Sequence, residues 1–209
     1  MASLDHVSPG HAAREEKVGS RVGMWLFLLS EILLFGGLFL VYAVYRAKHA
    51  VDFHNASMEL SRFDGTLNTA ILLTSSLTAV IAIFSVQEKN KRGRGMLFLG
   101  ITIACGAAFL VVKAFEWTAK WHHGLFPNQA ELLSRPHGQQ LYFGLYFIMT
   151  GLHALHVIVG MTVLSIILAF VARGSQHQTR SAILENGGLY WHLVDIIWIF
   201  LFPLFYLIS

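Results

Sequence analysis

A single cysteine, Cys105, stands in 209 residues, so no disulfide can close within the chain. The CxxC pair of a redox or zinc motif is excluded with it. No glycine-rich phosphate loop and no dinucleotide-binding fingerprint occurs, so nothing in the sequence points to a nucleotide. Charge is scarce as well: Asp, Glu, Lys and Arg together make up 13% of the residues. The formal net charge is +3, but no polar stretch is long enough to fold into a domain carrying a basic groove. Nucleic acid is therefore not expected as a partner.

Apolar residues are plentiful. They form 55% of the chain, and the mean hydropathy is +0.57. They gather in five runs, near 22–45, 67–86, 96–115, 141–171 and 189–208. A helix of about 20 residues, rising about 1.5 Å per residue, crosses about 30 Å of hydrocarbon. All five runs meet that length. Backbone polar groups in lipid must be satisfied within the segment, and the runs lack the strict alternation of barrel strands. The expected fold is therefore an all-α integral membrane protein, a bundle of five transmembrane helices. A polar tail, 1–21, precedes one domain over 22–209. The tail carries acidic residues and lacks the short basic head of a signal peptide.

Lysine and arginine set the expected orientation. One side collects Arg14, Lys17, Arg21, Lys89, Lys91, Arg92, Arg94, Arg173 and Arg180. The other has Arg46, Lys48, Arg62, Lys120 and Arg135. This places the N-terminus on the inner, cytoplasmic side and the C-terminus on the outer side. The longest expected loop, 116–140, has room for an interfacial segment but not for a catalytic domain. Five spans also fit poorly with two equal inverted repeats.

Polar residues inside the spans are few. Glu31, in LFLLSEILLFGGLFL, lies about ten residues into the first run, so about 15 Å deep. A charge there needs a partner, a wet cavity or a proton. Both a proton-bearing site and a structural acid satisfy that requirement. Gly36 and Gly37 after it permit close approach of another helix or a lipid chain. His153 and His156 stand three residues apart and are expected on one helix face, as polar contacts between helices rather than metal ligands. His192 and Asp195 repeat that spacing, with hydrogen bonds expected to each other or to the fourth span. Tyr190 and Trp191 suit an interfacial aromatic belt. Lys113 and Glu116 are expected as an ion pair near a helix end, the lysine snorkelling to the headgroups, with Trp117 following. Pro203 is expected to bend the last span. These groups do not assemble a nucleophile, a base and an oxyanion site.

Several separated motifs resemble subunit III of the haem–copper respiratory oxidases. They are WLFLLSEILLFGGLF at 25–39, LNTAILLTSS at 67–76, FLVVKAFEW at 109–117, YFIMTGLHALHVIVG at 146–160 and YWHLVDIIWIFLFPLFYL at 190–207. The chain looks like the shorter, five-helix bacterial form of that family. The resemblance implies a core subunit with no catalytic site, haem or copper of its own, those groups lying in partner subunits. It implies contact with subunit I, membership of a complex with subunit II and subunit IV, and bound phospholipid. It further implies support for subunit stability and proton uptake while a partner reduces oxygen, with cytochrome c as the electron donor, in a bacterial inner membrane. Glu31 matches the family's membrane-embedded glutamate, and Glu116, His153, His156, His192 and Asp195 match other recurring polar positions. Arg21 and Asn68 would contact lipid headgroups or helix ends. The alternatives are a quinol oxidase subunit III, an accessory subunit of nitric oxide reductase and, in a different class, a small proton-coupled transporter. A membrane cytochrome b is disfavoured, because histidines on adjacent turns of one helix cannot clamp both faces of one iron.

Overall fold

The computed structural model describes residues 9–88, 91–173 and 177–207. They form helices α1 (Pro9–Lys48), α2 (Ala50–Ser57), α3 (Arg62–Gln87), α4 (Arg92–His122), α5 (Ala130–Leu133), α6 (His137–Arg173) and α7 (His177–Phe202), closed by a π-helical turn at Pro203–Leu207. Five stretches are long and apolar enough to cross a membrane: Arg21–Lys48, Arg62–Val86, Arg92–His122, His137–Arg173 and Ile183–Leu207. The protein is thus all-α, with the five expected spans.

The helices outrun the apolar stretches, because backbone hydrogen bonding and not hydropathy sets a helix end. α1 reaches back to Pro9, through much of the segment expected as a polar tail. Proline suits a first turn, where its missing N–H would have no intrahelical partner. The expected loop 116–140 shrinks to 123–136, since α4 continues to His122 and α6 begins at His137. At that end of the bundle Glu59, in the connection between α2 and α3, reaches both α4 and the segment before α6. Its carbonyl accepts from Lys120 and its carboxylate pairs with Arg135. At the other end Arg92 donates to the Ala172 carbonyl at 2.6 Å, joining the start of α4 to the end of α6. All of Lys89 and the side chains of Arg14, Lys17 and Arg180 lie outside the described residues.

α3 packs along α4, and α7 lies between α3 and α6. α1 rests on α6 and α7 at the edge of this group. Burial follows position: 56% of the most apolar window of α7 is buried inside the protein, against 11% for α1. α7 is also the least apolar of the five spans. In a membrane the lipid-facing residues must be apolar, so the helix with most polar residues belongs at the centre.

Trp191 fills that centre and is fully buried, which corrects its expected place in an interfacial belt. Its ring fits only because two neighbours lack side chains. A Cβ on Gly106 of α4 or Gly160 of α6 would lie 2.8 Å from it. Its indole N–H donates to Ser75 Oγ of α3 at 2.9 Å. One side chain thereby joins four helices.

Pro203 cannot donate to the helix and the chain widens there into the π-helical turn. Tyr42 of α1 donates to the Leu204 carbonyl and Tyr142 of α6 to the Phe205 carbonyl, each at 2.8 Å. The bend expected at Pro203 is thus a widened turn held by two buried tyrosines.

Candidate functional site

Polar side chains inside the spans collect in three places. The first joins α1 to α6. Glu31 Oε2 lies 2.9 Å from His156 Nε2, and both side chains are mostly buried, at 14% and 13% exposure. His156 Nδ1 lies 2.7 Å from the Leu152 carbonyl. A carbonyl only accepts, so Nδ1 carries a hydrogen. One further proton then lies between Nε2 and the carboxyl. The pair is either an acid beside a neutral ring or a carboxylate beside an imidazolium. Its net charge is zero both ways, which is how a glutamate is accommodated at this depth. Tyr190 of α7 donates to the His156 carbonyl at 3.2 Å and stacks near Phe27.

The second place lies among α4, α6 and the π-helical turn. Lys113 is 4% exposed and donates to Glu116 Oε2 at 2.8 Å, Tyr206 Oη at 2.6 Å and Tyr146 Oη at 3.2 Å. An ammonium has three N–H bonds, and all three are used. Both phenols donate in turn to Glu116 Oε1, at 2.8 Å from Tyr146 and 2.6 Å from Tyr206. The ammonium also lies 4.9 Å from the Trp198 ring centroid. The expected ion pair is present, but the expected snorkelling is not. Lys113 points into the bundle because tyrosines on two other elements complete its shell. Trp117 packs edge-on against Phe147 at 5.4 Å.

The third place joins α7 to α3. His192 Nδ1 lies 2.7 Å from Ser76 Oγ. Asp195 is 3% exposed, and among the described residues neither carboxylate oxygen has a hydrogen bond of normal geometry. Ser76 is the side chain that approaches it, but that hydroxyl is aligned on His192. The two residues therefore do not bond to each other or to α6, as expected, but both face α3.

Other expectations shift. His153 and His156 do not act as one unit. A 60° difference in direction on adjacent turns sends His156 to α1 and His153 against Phe109 and Trp198. His153 is fully buried, and among the described residues neither ring nitrogen has a partner. Asn68 is not at a helix end or a headgroup. It is fully buried in α3, because α3 starts earlier, at Arg62, and its amide has no hydrogen-bond partner among the described residues. Arg21 is exposed and lies 3.6 Å from Glu185 of α7. Gly36 and Gly37 face outward, and among the described residues no other helix comes within 4 Å of a Cβ placed there. Tyr146, Tyr206 and Ser76 were missed by sequence reasoning. Their signal was a hydroxyl within an apolar run, but the sequence does not say which ones converge.

A groove of about 340 Å³ opens between α1, α6 and α7. Met24, Phe27, Val159, Val163, Ile183, Asn186, Gly187 and Tyr190 line it, so its wall is mostly apolar. Among the described residues no three His, Cys, Asp or Glu side chains gather in a way that would hold a metal. Chemically, the three polar places can hold or pass protons and lock helices together.

A family model described as cytochrome c oxidase subunit III matches residues 5–209. The cytochrome c oxidase subunit 3 of Bacillus subtilis is 32% identical over 191 residues, which cover 90% of this chain and 86% of that protein. The cytochrome bo(3) ubiquinol oxidase subunit 3 of Pseudomonas aeruginosa is 30% identical over 214 residues, covering 100% and 95%. The protein named heme-copper oxidase subunit I+III of Aeropyrum pernix is 30% identical over 201 residues, covering 90% of this chain and 22% of that longer one.

Proposed function

The chain belongs to the cytochrome c oxidase subunit III family, and from that premise we propose that it is the non-catalytic core subunit III of a proton-pumping haem–copper terminal oxidase. It binds subunit I directly, in a complex with subunit II and subunit IV. It steadies subunit I, organises lipid and supports proton uptake while oxygen is reduced elsewhere in the complex. The haems and copper belong to the partners. The membrane is a bacterial inner membrane, with the N-terminus cytoplasmic and the C-terminus periplasmic.

The observation that carries the lipid role is the groove among α1, α6 and α7. It is apolar, it lies along the loosely packed α1, and the Arg21–Glu185 pair spans the same two helices, α1 and α7. That is the shape and polarity of a seat for a phospholipid acyl chain. A relative whose name joins subunits I and III in one chain supports the contact with subunit I.

Cytochrome c is the proposed donor. A second reading, a quinol oxidase, is favoured by the Pseudomonas aeruginosa relative, which matches along the whole chain. The test is affinity purification of the tagged chain from its native membrane, with mass spectrometry of proteins and lipids. Subunit I, subunit II and phospholipid are expected together. Recovery of a lone chain that drives proton-coupled solute uptake in liposomes would replace this reading with a transporter. A copper-binding CxxxC motif in the co-purified subunit II selects cytochrome c, and its absence selects quinol.

A further inference from the structure

We infer that Asp195 is a proton-carrying site, connected through Ser76 and His192 to the face between α3 and α7. It is a site separate from the Glu31–His156 pair. The starting point is the contrast between the two acids. Glu31 has a basic partner at 2.9 Å. Asp195 is more deeply buried, and among the described residues neither of its oxygens has a hydrogen-bond partner of normal geometry.

A bare buried carboxylate costs several kcal/mol even after the protein relaxes. A counter-charge would have to come from a neighbouring element. α3 has no ionisable residue between Asp64 and Glu88. On α4, the ammonium of Lys113 is already committed to Glu116 and two phenols. On α6, His156 is taken by Glu31, and His153 packs between Phe109 and Trp198 with neither ring nitrogen bonded to Asp195. On α7 itself, His192 is turned to Ser76. On α1, Glu31 is a like charge. Asp195 therefore stays in the fold as the neutral acid, and the proton is its counter-ion.

The route for that proton follows from the Ser76 hydroxyl. A hydroxyl donates once and accepts through two lone pairs. When Ser76 donates to His192 Nδ1, its lone pairs are free to accept from the Asp195 O–H. A small rotation of the aspartic acid side chain completes that contact. Outward transfer then runs in three steps. The Asp195 O–H bond breaks and a new O–H bond forms on Ser76. Its former hydrogen bonds to His192 Nδ1. The Nε2–H of the half-buried imidazole then passes to a water molecule at the face between α3 and α7, which carries the proton away as hydronium. Asp195 is left as a carboxylate and His192 as the neutral ring with its hydrogen on Nδ1. The reverse sequence refills the acid.

The test uses the assembled complex in nanodiscs and infrared difference spectra in water and heavy water. A protonated carboxylic acid gives a carbonyl stretch above the amide bands. That band is expected in the parent protein, to vanish in Asp195→Asn and to persist in Glu31→Gln. Ser76→Ala is expected to shift it, because the acid loses its acceptor. Exchange of its proton for deuterium should slow by about a hundredfold in Ser76→Ala and in His192→Phe, the scale of a lost proton carrier. A merely structural aspartic acid would show no such slowing. If Asp195→Asn removes no band, Asp195 is ionised and the idea fails. It fails equally if exchange keeps its parent rate in both relay variants. Should Asp195→Asn not assemble, the Ser76→Ala shift and exchange rate decide the matter alone.

Discussion

Glu31 and His156 meet 2.9 Å apart across α1 and α6, although 125 residues separate them in sequence. α1 is the least buried span, so this contact matters more to its seating than a similar one would at the centre. Glu31→Gln keeps a hydrogen bond, since the amide can donate to a neutral Nε2. Assembly and the proton-to-electron ratio of the oxidase should then stay near the parent values. His156→Ala instead strands the acid and should loosen α1, seen as a lower melting temperature of the purified complex. Complete loss of pumping in an intact Glu31→Gln complex would show that Glu31 carries protons in the pumping step.

The Lys113–Glu116 pair should behave as a buried pair with one partner removed at a time. Lys113→Met or Glu116→Leu alone is expected to cost about 3–5 kcal/mol, because each leaves a charge uncompensated. The double variant should lose less than the sum of the two. A double-mutant cycle on chemical unfolding of the solubilised complex measures this. Simple additivity would mean that the two groups do not act as a unit.

Gly160→Ala is expected to destabilise by about 1–3 kcal/mol, the usual cost of an overpacked core. Its new Cβ would meet Trp191 at 2.8 Å. Gly36→Ala meets nothing among the described residues within 4 Å. The isolated chain should therefore tolerate it. A loss of stability that appears only in the assembled complex would mark that face of α1 as a subunit contact.

Tyr142→Phe removes the donor to the Phe205 carbonyl within a buried site. The expected cost is about 1–3 kcal/mol, that of leaving a buried acceptor unsatisfied. Hydrogen exchange should speed up around the π-helical turn at Pro203–Leu207 and not in α3. Uniform acceleration would mean that the turn is not the element held by this tyrosine.

The five spans were legible because lipid imposes a length and a polarity that each run must satisfy alone. Their ends were not, since polar residues such as Glu116–His122 can continue a helix outside the apolar run. The acids and histidines inside the spans were legible as exceptions to that polarity. Their partners were not. Spacing three apart suggested His153 with His156 and His192 with Asp195, whereas the bonds run to Glu31 and Ser76 on other helices. Lys113 was misread because its shell is built by Tyr146 and Tyr206, neither of them near it in sequence. Family motifs identified the positions without saying which groups touch.

The burial of α7 has a consequence for how the protein is made. A segment with an aspartic acid, a histidine and two tryptophans is a poor candidate to enter bare hydrocarbon on its own. It follows α3, α4 and α6 in the chain, so the walls that accept those groups have been synthesised before it emerges. Its insertion is then a docking event between helices rather than a transfer into lipid. Ser75, Ser76, Gly106 and Gly160 form the waiting slot. Substitutions there should show first as retention by the insertion machinery, before any defect in the finished enzyme.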